Sequence, residues 1–206
     1  MVTAPALPKN RPADALISCV IPAYNEAAHL ADFLRDLRKT LAGFAARYEI
    51  IVINDGSRDN TDEIMASLLH EDGLRYISFS RNFGKEAALS AGIDAAQGDA
   101  VILIDSDYQH PLELLPEMTR LWRDGIDMVY GVISDRSNES RLKRWGTGMF
   151  YYLMESGSPI TIPRNAGDFR LMDKKVVDAL RQLPERNRFM KGCLLYTSPS
   201  PRDQRG

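Results

Sequence analysis

Cysteine is scarce in this chain: its 206 residues contain two, Cys19 inside an apolar run and Cys193 near the end. They are too few and too far apart for a disulfide framework or a zinc cluster, which points to a reducing compartment. Long hydrophobic runs are missing as well. The longest nearly uncharged apolar stretch, Trp145 to Met154, is about half of what a bilayer-spanning helix requires. The polar, Pro-rich residues 1–15 carry no signal-peptide pattern. The sequence as it stands is therefore expected not to span a membrane. No Gly-x-Gly-x-x-Gly follows the first strand-like run, and neither Gly-x-x-x-x-Gly-Lys-Ser/Thr nor Gly-x-Ser-x-Gly occurs. These absences disfavour dinucleotide oxidoreductases, P-loop NTPases and the nucleophile-elbow hydrolases. The nearest imitation, Gly-Thr-Gly at 146–148, reads as a close helix contact.

With 44% hydrophobic and 26% charged residues, the chain can build one good-sized core without covalent staples. Its net charge of −2 hides an asymmetry. Residues 1–135 hold 12 Lys/Arg against 21 Asp/Glu, whereas residues 136–191 hold 12 against 6. A basic block behind an acidic body suggests an anionic partner met on one side, with a solvated face as the plainer alternative.

Apolar patterning predicts alternating strands and helices. Leu16–Ile21 is short, β-branched and closed by Pro22, as a buried strand would be. Asn25 is the expected N-cap of a helix carrying Leu30, Phe33, Leu34, Leu37 and Leu41 at helical spacing. Glu49–Asn54 reads as the second strand, with Asp59-Asn60-Thr61 capping a helix that buries Ile64, Met65, Leu68 and Leu69. Leu74–Ser80 is the third strand; an Ala-rich helix then runs to about Ala96 and is closed by Gly98. Ala100–Ile104 is the fourth strand, followed by a helix from Pro111, and Asp127–Val132 is the fifth. Such alternation implies βαβ units, a mostly parallel central sheet and helices on both faces: an α/β fold. Beyond Asp135 the pattern changes. Ser140–Glu155 reads as a basic, aromatic amphipathic helix, Asp168–Met172 as a short strand, and Lys174–Leu183 as a helix with Val176, Val177 and Leu180 inward.

In open parallel sheets ligands bind beyond the carboxyl ends of the strands, where the loops converge. Four successive strand ends here carry polar side chains: Tyr24-Asn25-Glu26, Asp55-Gly56-Ser57, Arg81 with Lys85, and Asp105-Ser106-Asp107-Tyr108-Gln109. Turn chemistry alone explains any one of them, but hardly all four on one edge. Asp105 and Asp107, with no Cys or His pair nearby, are hard oxygen ligands suited to Mg²⁺ or Mn²⁺, with Gln109 as a further oxygen donor. His110 reads as a packed turn residue.

Together these segments resemble a known family. Val-Ile-Pro-Ala-Tyr-Asn-Glu at 20–26, Ile-Asn-Asp-Gly-Ser-Arg-Asp-Asn-Thr at 53–61, Arg-Asn-Phe-Gly-Lys-Glu at 81–86 and Asp-Ser-Asp-Tyr-Gln-His-Pro at 105–111 are similar to the family 2 glycosyltransferases. Within it the chain looks like the polyprenyl-phosphate sugar transferases, the bactoprenol glucosyltransferase and dolichol-phosphate mannosyltransferase group. The resemblance covers roughly 16–192. It implies a GT-A fold, a nucleoside diphosphate sugar donor, a divalent metal and a membrane lipid phosphate as acceptor. No nucleic-acid partner is expected, and a homo-oligomer stays open.

Carried over by position, Pro22, Tyr24, Asn25, Glu26, Ile53, Asp55 and Lys85 fall at the nucleotide-sugar site, with Asp105, Ser106 and Asp107 at the diphosphate and metal. Asp168, in Gly167-Asp168-Phe169-Arg170-Leu171, matches a segment facing the acceptor and is the candidate base. An acceptor phosphate already ionised near neutral pH needs little deprotonation, so Asp168 alternatively orients an arginine or the sugar. Arg136, Ser140, Arg141, Arg144 and Arg170 are candidates for the acceptor phosphate, with segment 140–155 lying on the cytoplasmic face of the plasma membrane. The mannosyltransferases of the group carry an Arg shortly after the fifth strand; here Ile133 stands there, and Arg136 is the candidate substitute. The preferred reaction is inverting transfer of glucose from UDP-glucose to undecaprenyl phosphate. GDP-mannose as donor, a soluble or polysaccharide acceptor, and a non-catalytic nucleotide-sugar-binding remnant are the alternatives. Residues 1–15 are expected to be unstructured. The Ser/Pro/Arg run 193–206 lacks periodicity and reads as a non-native tail behind a catalytic domain incomplete at its C-terminus.

Overall fold

Isoleucine, valine and leucine occupy both faces of three strands, and a strand buried on both sides has to lie inside a sheet with helices above and below. The computed structural model describes residues 11–133, 149–153 and 166–182, and this is what they build. In chain order the elements are β1 (Leu16–Ala23), α1 (Leu30–Ala42), β2 (Arg47–Asn54), α2 (Thr61–Leu68), β3 (Leu74–Ser78), α3 (Lys85–Ala95) and β4 (Ala100–Leu103). A 3₁₀ turn at Leu112–Leu114, α4 (Leu115–Arg123), β5 (Met128–Ile133), β6 (Met149–Leu153), β7 (Ala166–Asp173) and α5 (Lys174–Arg181) follow.

The seven strands form one sheet in the order β3-β2-β1-β4-β7-β5-β6. β1 pairs in parallel with β2 and β4, and β2 with β3. β7 is antiparallel to both β4 and β5, and β6 is antiparallel to β5. β5 thus runs with β1–β4, and the sheet is mostly parallel with β6 and β7 reversed. Period-two alternation separates two cores. Ile17, Cys19 and Ile21 of β1 face Phe33, Leu37 and Leu41 of α1 and Trp122 of α4. Val20, Ile51 and Ile53 face Leu89 and Ile93 of α3. Gly92 lets α3 approach, since a Cβ there would meet Val20 Cγ1 at 2.2 Å and Ile53 Cδ1 at 2.6 Å. Phe33, Leu37 and Leu41 are fully buried and together contribute on the order of 5–9 kcal/mol, comparable with the whole net stability of a domain. α1 therefore cannot leave the sheet without unfolding the protein.

Several expectations are corrected. Asn25 does not cap α1; it has φ 57, and its side-chain oxygen accepts from the Arg58 N–H instead. The chain turns through Glu26, whose carbonyl accepts from the His29 and Leu30 amides, and the helix starts at Leu30. Leu69 is exposed beyond the end of α2 rather than buried. β3 stops at Ser78. Gly98 is not a helix stop: α3 ends at Ala95, Ala96 is already extended, and Gly98 is needed because a Cβ would lie 2.6 Å from Ser18 Oγ. Helix α4 begins at Leu115, after the 3₁₀ turn, rather than at Pro111. The helix expected over 140–155 is contradicted by β6, whose residues Met149–Leu153 pair along β5. Aromatic residues favour a strand where a partner edge is open, and the aromatic content of this segment outweighs its helical periodicity. Residues 140–148 and 154–155 lie outside the described residues, as does the tail 193–206.

Residues 11–15, expected to be unstructured, are held in place from Arg11. Its guanidinium donates to the Trp122 and Ile126 carbonyls, pairs with Asp127 at 2.7 Å and Asp173 at 2.9 Å, and lies over the Trp122 ring. Five partners for one side chain offset the entropy of ordering the segment.

At the end of the sheet opposite the strand exits described below, Glu49 is 7% exposed and accepts from Ser18 Oγ, Arg75 and the Gln97 N–H. Burial pushes its carboxyl up, but these donors outweigh burial and hold it below the ordinary value. A depressed folded value stabilises the protein fully above about pH 4.3, the unfolded value, and the contribution fades as pH falls through the lower folded value. Glu49→Ala, which orphans three donors, is expected to cost about 2–4 kcal/mol in urea unfolding at pH 7. The variant should also show a shallower loss of stability on the acid side.

Candidate active site

Strand order reverses at β1, which is flanked by β2 on one side and β4 on the other, and a crevice opens beyond the carboxyl ends of strands at such a point. A cleft of about 410 Å³ occupies it. β1 brings Pro22, Tyr24 and Glu26; β2 brings Asp55; the loop before α3 brings Asn82, Gly84 and Lys85; β4 brings Asp105, Ser106 and Asp107. All four strand ends singled out by their polar residues thus contribute to one concavity.

The loops that build the cleft are tied to one another. The Asn25 N–H donates to Ser57 Oγ at 2.8 Å, and the Ala27 N–H donates to Asp59 Oδ2 at 3.0 Å, which joins the exits of β1 and β2. Asp55 is 3% exposed; its Oδ1 accepts from the Phe83 N–H at 2.7 Å and its Oδ2 from the Gly84 N–H at 2.9 Å. One buried carboxylate thereby shapes the whole 81–84 loop. Gly56, at φ +67, is required beneath that loop because a Cβ would lie 2.3 Å from the Arg81 carbonyl carbon. In the loop after β4, the Asp107 carboxylate accepts from the Gln109 N–H at 3.0 Å, and Tyr108, at φ 57, donates its hydroxyl to Asp36 of α1 and packs edge-on against Phe33.

Charge is concentrated and partly compensated. Lys85 Nζ lies 2.7 Å from Asp105 Oδ2 and 2.8 Å from Asp168 Oδ2, so one ammonium joins the end of β4 to β7. Burial pulls Lys85 down, but its bonds to Asp105 and Asp168 outweigh that and hold it above its ordinary value. Burial pushes the Glu26 carboxyl up, and the neighbouring charges of Asp107 and Asp105 add to the rise. These carboxylates crowd one another, an arrangement that a cation relieves. Asp105 and Asp107 are hard oxygen donors open to the cleft, a chemistry that fits Mg²⁺ or Mn²⁺. Among the described residues no group of three or more His, Cys, Asp or Glu forms a complete metal cage. The remaining coordination would fall to ligand oxygens and water, as is usual for Mg²⁺ bound beside phosphates.

Not every expected residue reaches the cleft. Ile53 is fully buried in the α3-side core, and the side chain of Asn25 is spent on Arg58. Arg170 is 3% exposed, inside the sheet in register with Leu103 and Tyr130, its guanidinium 3.7 Å from Asp168 Oδ1. Arg136, Ser140, Arg141 and Arg144 lie outside the described residues. His110 is buried and stacked on Phe169 at 4.8 Å; burial lowers its pKa despite the acidic neighbours, which suits a neutral packed ring. Asn82 was not among the expected site residues, although it stands in the segment 81–86 and lines the cleft. Its one local signal was its place between Arg81 and Lys85.

Known proteins are similar to this chain in sequence and in fold. The model of Glycosyl transferase family 2 matches residues 18–181. The "Bactoprenol glucosyl transferase" of Shigella phage SfV is 47% identical over 181 residues, covering 87% of this chain and 59% of that protein. An uncharacterized glycosyltransferase of Synechocystis is 48% identical over 181 residues, with 87% and 57% covered. The chain thus spans less than two thirds of the length of these curated relatives. Among solved structures, the mannosyltransferase PcManGT of Pyrobaculum calidifontis, in complex with GDP-Man and Mn²⁺, aligns with a TM-score of 0.56 at 18% identity, covering 86% of this chain and 49% of that one. At that identity the likeness carries the GT-A fold alone.

Replacing Asp55 by Ala orphans the Phe83 and Gly84 amides and is expected to cost about 2–3 kcal/mol. Hydrogen exchange should report faster exchange of those two amides in the variant, out of proportion to the amides of α3. Uniform acceleration across the domain would contradict a local clamp.

Proposed function

The chain belongs to glycosyl transferase family 2, and on that premise we propose that it forms the donor-binding part of an inverting enzyme that moves glucose from UDP-glucose to a polyprenyl phosphate. The single observation that carries this reading is the convergence of Asp105, Asp107, Glu26 and Lys85 with Tyr24 and Asp55 in one cleft at the strand-order reversal. Such a cleft suits a ligand with an aromatic base at one end and a diphosphate at the other. Tyr24, 42% exposed, offers its ring to the base beside Pro22 and the loop that Asp55 holds. Asp105, Ser106 and Asp107 border the diphosphate end, and Lys85 supplies positive charge there.

In the reaction a lipid phosphate oxygen forms a bond to the anomeric carbon. The bond from that carbon to the diphosphate oxygen breaks on the opposite face and its electron pair leaves with UDP, which inverts the configuration. A divalent cation held by Asp105 and Asp107 would supply charge to the departing diphosphate. The nucleophile is already anionic, since the second ionisation of a phosphate monoester lies near pH 6. Little proton transfer is needed, and rate comes from orientation and charge. Asp168, fixed by Lys85 and close to Arg170, is suited to positioning at the acceptor side. The basic flank 136–191, with Arg136, Ser140, Arg141 and Arg144 as phosphate ligands, supports an acceptor at the cytoplasmic face of the plasma membrane. Among the described residues no helix is long and apolar enough to cross a membrane.

Radiolabelled UDP-glucose and GDP-mannose, each incubated with this chain, Mn²⁺ and detergent-dispersed undecaprenyl phosphate, test the reading. Organic-extractable label from UDP-glucose is expected. Label from GDP-mannose alone would change the donor, label on soluble sugars alone would change the acceptor, and tight UDP-glucose binding without turnover would identify a binding module. Asp107→Ala is expected to abolish the Mn²⁺ dependence of UDP-glucose binding and to reduce any turnover by about 10²–10³-fold. Unchanged calorimetric affinity would refute its place at the metal.

A further inference from the structure

Lys85 is the only cation among the described residues that line the cleft, and its charge is already committed. Its ammonium touches Asp105 Oδ2 at 2.7 Å and Asp168 Oδ2 at 2.8 Å. Asp105 is also half of the pair that fits a divalent cation. The ammonium holds Oδ2 of Asp105, which leaves a hard cation the other oxygen of that carboxylate with a like charge beside it, so the two compete. Asp107, by contrast, is exposed at the cleft and accepts from the backbone N–H of Gln109. The two carboxylates of the pair therefore differ: among the described residues Asp107 has no ammonium contact, and Asp105 gives its Oδ2 to one.

Lys85 also stands where it can change partners. It is the first residue of α3, its backbone is fixed by the Asp55 clamp on the preceding residues Phe83 and Gly84, and a lysine side chain swings on four flexible carbons. A diphosphate in the cleft brings several strong acceptor oxygens to the same wall.

We propose that Lys85 is a positioning residue that stands in for the metal on Asp105, and that a bound diphosphate draws its ammonium away, so that the metal binds tightly only together with the nucleotide. The inference rests on the reading of Asp105 and Asp107 as the metal pair. Loading of the cleft is then ordered: the cation does not settle on the acidic pair in the absence of donor, and Asp168 keeps Lys85 as a partner while Asp105 is handed over.

The test is a binding cycle that does not depend on turnover. Mn²⁺ affinity is measured by electron paramagnetic resonance with and without saturating UDP, for the wild type and for Lys85→Met, which keeps the stem and removes the charge. Without UDP the variant is expected to bind Mn²⁺ about tenfold more tightly, and the enhancement of Mn²⁺ binding by UDP should shrink by a similar factor. Lys85→Gln, polar but uncharged, is expected to move in the same direction and serves if the Met variant does not fold. Unchanged Mn²⁺ affinity without UDP would overturn the inference and leave the metal site standing. A rise of equal size with and without UDP would also overturn it, as a through-space charge effect. Absence of Mn²⁺ binding in every protein, with or without UDP, would overturn both the inference and the metal reading.

Discussion

One ammonium between two carboxylates holds the chemical end of this protein together. Asp105 leaves β4 and Asp168 lies near the start of β7, and the two strands come from distant parts of the chain, joined antiparallel with Leu103 opposite Arg170. Lys85 reaches both only because β7 inserts between β4 and β5 in the sheet order. The reversed strand thereby places the Asp168 carboxylate beside the cleft, on the same ammonium as Asp105.

A second carboxylate does the matching work on the other wall. Asp55 gives both oxygens to backbone amides, so its contribution to a ligand passes through the shape of the loop that presents Asn82, Gly84 and Lys85. The division is physically sensible. A buried carboxylate satisfied by two N–H groups stays in place and rigidifies its loop, while carboxylates that meet a cation or a diphosphate have to stay open to the cleft. Glu26 and Asp105, half-buried, and Asp107, exposed, line it. Burial, and after it the charges of Asp107 and Asp105, raise Glu26, and positive charge in the cleft relieves that crowding.

Much of this was legible in the sequence because it followed from local rules. Strands β1, β2 and β4 are apolar runs closed by polar turns, and α1 and α5 repeat their leucines and valines at helical spacing. The four polar strand ends and the Asp-x-Asp pair sit in contiguous segments, and four such segments in fixed order made the family resemblance specific. What failed was set by tertiary context. Asn25 has the composition of a cap, yet the Ser57 and Arg58 loop offered it better partners. The basic and aromatic mix of 140–155 reads as a helix, but the open edge of β5 decided for a strand over Met149–Leu153. Ile53 and Arg170 belong to motif segments, and strand alternation turned both inward. The Lys85 bridge could not be read at all, because it joins residues 20 and 83 positions apart, Lys85 with Asp105 and Asp168.

The central claim is that Asp105 and Asp107 hold a divalent cation against a nucleoside diphosphate in the cleft beyond β1 and β4. A crystal structure of the chain with UDP and Mn²⁺, with anomalous diffraction collected at the manganese edge, tests it most directly. The account predicts one anomalous peak in direct coordination with both carboxylates and with the UDP diphosphate, the uracil beside Tyr24, and the Lys85 ammonium withdrawn from Asp105. UDP bound in that cleft with no manganese at the pair, or manganese and UDP bound elsewhere on the molecule, would contradict it.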